Sequence, residues 1–147
     1  VSIQLRGFSE LERALKDELP KATSKNILRR TALNAMKPIE ERAKELAPKD
    51  DGTLAASITT KVVKAKRVSR TKFASSDGVT VATGPTGRPE GGNAAWQEFG
   101  TVKQAAQPYM RPAGDYESDA ALDIVRDELA AQIDKARKRI ARKAAKG

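Results

Sequence analysis

The chain has 147 residues, with 28 lysines and arginines against 19 acids, six aromatics, no histidine and no cysteine. A chain of about 150 residues buries about 68–70% of the surface its unfolded form exposes, so the length suits one domain with a real core. Absent cysteine excludes disulfides, thiolate nucleophiles and cysteine-ligated zinc, and absent histidine removes the usual neutral-pH base and the commonest metal ligand.

Val1, Ile3 and Leu5 alternate with Ser2, Gln4 and Arg6, the period-two pattern of a short edge strand, and residues 1–7 do not read as a secretory leader. Ser9 and Glu12 have the spacing of a capping box, which predicts a first helix over residues 10–19 carrying Leu11, Leu15 and Leu19. Pro20 either stops that helix or opens the next. Leu28, Ala32, Ala35, Met36, Ile39, Ala43 and Leu46 then form one apolar stripe at helical spacing, the long central helix. Pro38 lies inside it without an amide hydrogen, so a kink or a short break is expected there. Pro48 and the Asp50-Asp51-Gly52 turn end it.

Residues 57–66 are rich in β-branched side chains and predict a strand; residues 79–83 predict a second. Between them, residues 65–77 are basic and serine-rich and read as a long, mobile hairpin arm. The glycines and prolines of residues 84–93 read as another loop. Residues 94–100 predict one helical turn with Trp96 and Phe99 inward, and residues 107–112 an extended segment laid on the core by Tyr109 and Met110. A last helix is expected to start near Ala113 or Asp115, with Leu122, Val125, Leu129, Ile133, Ala136 and Ile140 as its stripe. Six acids occupy its first half and seven bases its second, the polarity that favours both ends of a helix dipole. Net charge is +2 over residues 1–134 and +7 over residues 135–147, so the basic character belongs to the tail.

The expected fold class is α+β: a small antiparallel sheet packed by the central helix and the C-terminal helix, with the mobile arm projecting. Residues 1–134 read as a single domain and residues 135–147 as a basic helix end that frays. Leu28, Met36, Ile39, Leu46, Trp96, Phe99, Tyr109, Met110, Leu122 and Leu129 are the expected packing residues. No apolar run approaches the ~20 residues that span a bilayer, so no membrane partner is expected.

Catalytic readings fail on chemistry. Gly84-Pro85-Thr86-Gly87 lacks the lysine and hydroxyl that finish a nucleotide-binding loop. Asp50-Asp51-Gly52 is too short for a calcium loop, and adjacent carboxylates point apart. The expectation is a non-enzyme without a cofactor. Contacts are a better use of the polar motifs. Glu98, between two aromatics, needs a partner; Gly100 allows a backbone turn closed to other residues; Thr101 either caps that turn or meets a neighbour. Arg111 reads equally as a fork to a neighbouring subunit and as an intrachain bridge to the central helix. Lys66, Arg67, Arg70 and Lys72 make the arm positive, suited to a partner protein or to DNA phosphates.

Three segments together resemble a known family. The central helix ends in Ala47-Pro48, followed by Gly52-Thr53-Leu54 and Ser57-Ile58. Ala95-Trp96-Gln97-Glu98-Phe99-Gly100-Thr101 and Gln107-Pro108-Tyr109-Met110-Arg111-Pro112-Ala113 follow in order, and the likeness spans roughly residues 28–130. The pattern is similar to the small neck proteins of long-tailed, lambda-like bacteriophages, called tail-completion proteins, minor tail components or head–tail connectors. Ala55 and Ala56 depart from it where relatives often carry a basic residue, and so does the glycine-rich loop of residues 84–93.

The resemblance implies a structural virion protein, made in the host bacterial cytoplasm and ending in the neck. There it forms a homo-oligomeric ring, a hexamer, between the portal-side connector and the tail-terminator or tail-tube proteins, with genomic DNA passing through. The rival expectation is a small non-specific DNA-binding protein acting through its basic arm and tail.

Overall fold

The computed structural model describes residues 8–49, 52–64, 78–86 and 93–147. The edge strand at Val1, Ile3 and Leu5, the Asp50-Asp51 turn, the arm with Lys66, Arg67, Arg70 and Lys72, and most of the loop over residues 84–93 lie outside them.

Helix α1 (Phe8–Arg13) passes into a single π-helical turn (Ala14–Glu18). Leu19 and Pro20 are extended, and α2 (Lys21–Ala35) starts directly after the proline, whose fixed φ suits a helix start. Ser9 and Glu12 both lie within α1, so they do not form the expected capping box; Glu12 instead pairs with Lys16 one turn on, at 2.6 Å. The expected break in the central helix falls at Met36, which joins α2 to α3 (Lys37–Leu46). Pro38 thereby sits in the first turn of α3, where a missing amide hydrogen leaves no bond unmade.

Helix α4 (Thr53–Ser57) leads into β1 (Ile58–Val62), which pairs antiparallel with β2 (Val81–Pro85). Ile58 faces Pro85 and Val62 faces Val81, so the first strand is shorter than the β-branched run predicted, and the second keeps its five residues but lies two further on, taking in Gly84 and Pro85 from the expected loop. Thr60 lies opposite Thr83 with their hydroxyls 2.8 Å apart, and the Thr60 hydroxyl donates to Glu40 Oε2 at 2.7 Å. Glu40 also receives Lys44 Nζ at 2.6 Å; the Lys44 bond, then the Thr60 bond, hold its pKa below the ordinary carboxylate value. One carboxylate thus fixes the sheet to α3.

Helix α5 (Ala94–Phe99) precedes α6 (Met110–Lys146), whose 37 residues span about 55 Å at 1.5 Å per residue. It starts three residues ahead of Ala113 and is helical through Lys146. The i, i+4 backbone ladder does not need a buried face to continue once the helix is nucleated by its packed first half.

Two apolar clusters sit along α6. One joins Ala14, Leu19 and Ile27 to Leu129 and Ile133, with Leu28 packed at its edge. The other joins Ala43, Ala47 and Ile58 to Tyr109 and Ala113, with Ile39 and Met110 at its edge. Ala43 and Ala113 have no exposed surface, so α3 and α6 approach closely through methyl groups. Met36 and Leu122 are half-buried. Asn34 Nδ2 donates to Glu128 Oε1 at 2.7 Å, tying α2 to α6, and Arg42 lies 3.6 Å from Glu117 and over the Tyr116 ring, tying α3 to α6.

Three expected packing residues are not core. Leu46 is 40% exposed, because α3 turns Ala43 and Ala47 inward and Leu46 lies a third of a turn away. Trp96 and Phe99 are 51% and 69% exposed. The inward side of α5 belongs instead to Ala94 and, one turn later, to Glu98, whose carboxylate is bonded to the start of α6.

Thr31 is 2% exposed and its hydroxyl has no hydrogen-bond partner among the described residues. A buried hydroxyl left unpaired costs free energy that a methyl of the same shape does not. Thr31→Val is therefore expected to raise stability by about 1 kcal/mol, read from the urea midpoint at unchanged slope.

Candidate assembly site

The two aromatic-rich motifs of the sequence meet at the start of α6. Glu98 Oε2 accepts the backbone N–H groups of Tyr109 at 2.8 Å and Met110 at 2.9 Å, and Oε1 accepts that of Arg111 at 3.1 Å. A helix begins with amide hydrogens that have no partner inside it. Here the cap comes from another helix, eleven to thirteen residues upstream, in place of the residue before the helix, Tyr109, which makes no side-chain cap bond. Negative charge is favourable at this end of the helix dipole, and bonds to an ionised acceptor are about twice as strong as neutral ones.

The electrostatics follow the geometry. Desolvation acts to raise the pKa of Glu98, but the three amide donors and the nearby Arg111 charge outweigh it, and the carboxyl lies below its ordinary value. Tyr109 is 1% exposed beneath the same site; burial first, and the Glu98 charge second, push its phenol up. Its ring closes the second apolar cluster from below.

The chain between Glu98 and α6 is bound back on itself. Gly100 has φ +74° and ψ 178°, and its amide donates to the Trp96 carbonyl at 2.8 Å. Thr101 and Gln104 form an isolated antiparallel bridge, with Thr101 N donating to Gln104 O at 2.8 Å. Thr101 Oγ1 accepts Lys103 N at 3.2 Å, so its hydroxyl caps the turn. Gln107 N then donates to Gln97 O at 2.7 Å, and Gln104 Nε2 to Gln97 Oε1 at 3.0 Å.

Outward from this scaffold stand Trp96, Phe99 and Val102, the last fully exposed. The Arg111 guanidinium lies 6.0 Å from the Phe99 ring centroid, the distance of a cation–π contact. Among the described residues Arg111 makes no ion pair; the bridge from this region to the central helix is made by Arg42 and Glu117. Of the sequence candidates, Glu98, Gly100, Thr101 and Arg111 come together here with Trp96 and Phe99. Sequence reasoning misses Val102, since a single valine in a polar loop carries no periodic signal. Its place beside the turn glycine is the available hint.

The family described as "Bacteriophage HK97-gp10, putative tail-component" matches residues 9–100, and the chain belongs to this HK97-gp10-like family. That makes it a phage tail component of a structural, not an enzymatic, family, located in the virion. No curated protein and no solved structure matches the chain. No helix among the described residues is long and apolar enough to cross a membrane.

Proposed function

We propose that the chain assembles into a homo-oligomeric ring of six subunits at the phage neck. The ring completes the tail and joins it to the portal-side connector and the tail-terminator or tail-tube proteins, with DNA passing through its centre. Assembly takes place in the host cytoplasm. The observation that carries this reading is the exposed corner of Trp96, Phe99 and Val102 with Arg111 stacked on it. Aromatics and arginine are the side chains that dominate protein interfaces, and a rigid backbone beneath them removes part of the ordering cost of docking. A closed ring joins two unlike surfaces of each subunit, and the corner is one of them.

Trp96→Ser with Phe99→Ser tests the reading. Both rings lie outside the core, so the double variant is expected to keep its unfolding free energy, read from urea titration, within about 0.5 kcal/mol of the parent. It is expected to stay monomeric in analytical ultracentrifugation and to leave heads and tails unjoined in an infected-cell complementation assay. Joined, infectious particles at normal yield from the folded variant would refute the corner's role.

A further inference from the structure

A groove of about 370 Å³ runs between α2 and the second half of α6, away from the aromatic corner. Its walls carry Thr23, Asn26 and Arg30 from α2 and Gln132, Lys135 and Arg139 from α6, above a floor that includes Ile27 and Ala136. The nearby ion pairs are Arg137 with Glu18 at 2.7 Å and with Asp134 at 3.7 Å. They leave Arg30, Lys135 and Arg139 without a carboxylate partner among the described residues.

The cations continue beyond the groove. Lys135, Arg139, Arg142 and Lys146 recur at intervals of four, three and four residues, which places them on one side of α6. Eleven residues of helix make that row about 16 Å long. Because α6 stays helical to Lys146, the row has a fixed geometry. It is too long for a single small anion and fits a linear polyanion.

We infer that this groove and row bind the phosphate backbone of double-stranded DNA. One strand of a duplex presents a charge about every 3.4 Å along its axis, so a row of about 16 Å faces several phosphates. Thr23, Asn26 and Gln132 are hydrogen-bonding side chains of the kinds that position proteins on phosphate and sugar without reading sequence. The groove has no aromatic lining on which bases of a single strand could stack.

The acidic half of α6 in a second copy is a poorer occupant. Glu117 is held by Arg42, Asp123 and Asp127 by Arg126, and Glu128 by Asn34. Only Asp115 and Asp119 of that half remain unengaged among the described residues, which is no match for the row. Binding belongs to the single subunit, so a subunit that binds duplex without assembling is distinguishable from a ring that assembles without binding.

The test is fluorescence anisotropy of a labelled 20-base-pair duplex with the full-length chain across a salt series. Arg30→Gln, Lys135→Gln and Arg139→Gln together are expected to weaken binding at least tenfold at fixed salt. The slope of log affinity against log salt is expected to shrink by about 3, at about 0.9 for each phosphate no longer neutralised. A control that removes the exposed bases Arg29, Lys37 and Lys49 takes away equal charge outside the groove and is expected to change binding less than threefold. An unchanged thermal midpoint in the groove variant confirms its fold. Equal losses in both variants, or no loss in the groove variant, would overturn the assignment. So would tighter binding to a single strand of equal length, or equal displacement by poly-glutamate, which would give the groove to a protein partner.

Discussion

Glu98→Ala is expected to destabilise the chain by about 2 kcal/mol, near the upper end for loss of a helix cap. Three backbone N–H groups lose their acceptor at once, at 2.8, 2.9 and 3.1 Å, and the start of α6 loses the charge that complements its dipole. The carboxylate is only half-buried, so water takes up part of the missing bonding and the effect stays below that of a buried ion. Urea titration of the parent and the variant reads the difference directly.

The same contact makes a prediction in pH. The folded pKa of Glu98 is lowered, so its contribution is fully present above the unfolded carboxyl value and is lost as pH falls through the folded one. The gap between parent and Glu98→Ala is therefore expected to be constant near neutrality and to close in acid. Glu98→Gln keeps the shape and an acceptor oxygen but not the charge, and is expected to fall between the two at neutral pH. A gap independent of pH would show that the carboxylate charge plays no part in the cap.

Much of the fold is legible because it rests on local rules. Pro38 announces a break, and β-branched residues 58–63 announce a strand. The recurrence of apolar residues through Leu129 and Ile133 announces the long helix. The face each helix presents is less legible. On α2 the buried positions are Ser24, Ile27, Thr31 and Ala35, one residue from the Leu28–Ala32 line, because α6 and the π-turn approach that edge of a broad stripe. On α5 a six-residue helix cannot show a period, and hydrophobicity alone points its aromatics the wrong way.

The cap is half legible. A carboxylate between two aromatics announces that it needs a partner but not where that partner lies. The structure supplies the partner inside the chain, at a helix start that sequence reasoning sets three residues too late. Capping rules look at the residue before a helix; nothing in them points to a glutamate one loop upstream. Once Glu98 must face α6, Trp96 and Phe99 have only the outside left. The stability of the helix start and the exposure of the aromatic corner are therefore one constraint.

Gly100→Ala is expected to cost about 3 kcal/mol, the larger effect, because two separate penalties coincide. With φ +74° and ψ 178° the backbone lies in a region open in practice to glycine alone. A Cβ placed there would also stand 2.8 Å from Ala106 N and 3.0 Å from Gln104 O, both backbone atoms that no rotamer change can move. Relief requires opening the Thr101–Gln104 bridge, which carries the Gln107 to Gln97 bond and with it the approach of Glu98 to α6. Gly52 provides the comparison: its φ is +75°, but among the described residues no atom beyond its chain neighbours lies within 4 Å of the place a methyl would occupy, so Gly52→Ala meets only the conformational penalty, about 1 kcal/mol. A thermal and urea comparison of the two variants reads the extra cost at Gly100 of the glycine-only backbone region and the close backbone contacts together. Equal losses at the two positions would mean that the turn at Gly100 relaxes away from the added methyl at no further cost, and that the corner it supports is softer than its hydrogen bonds imply.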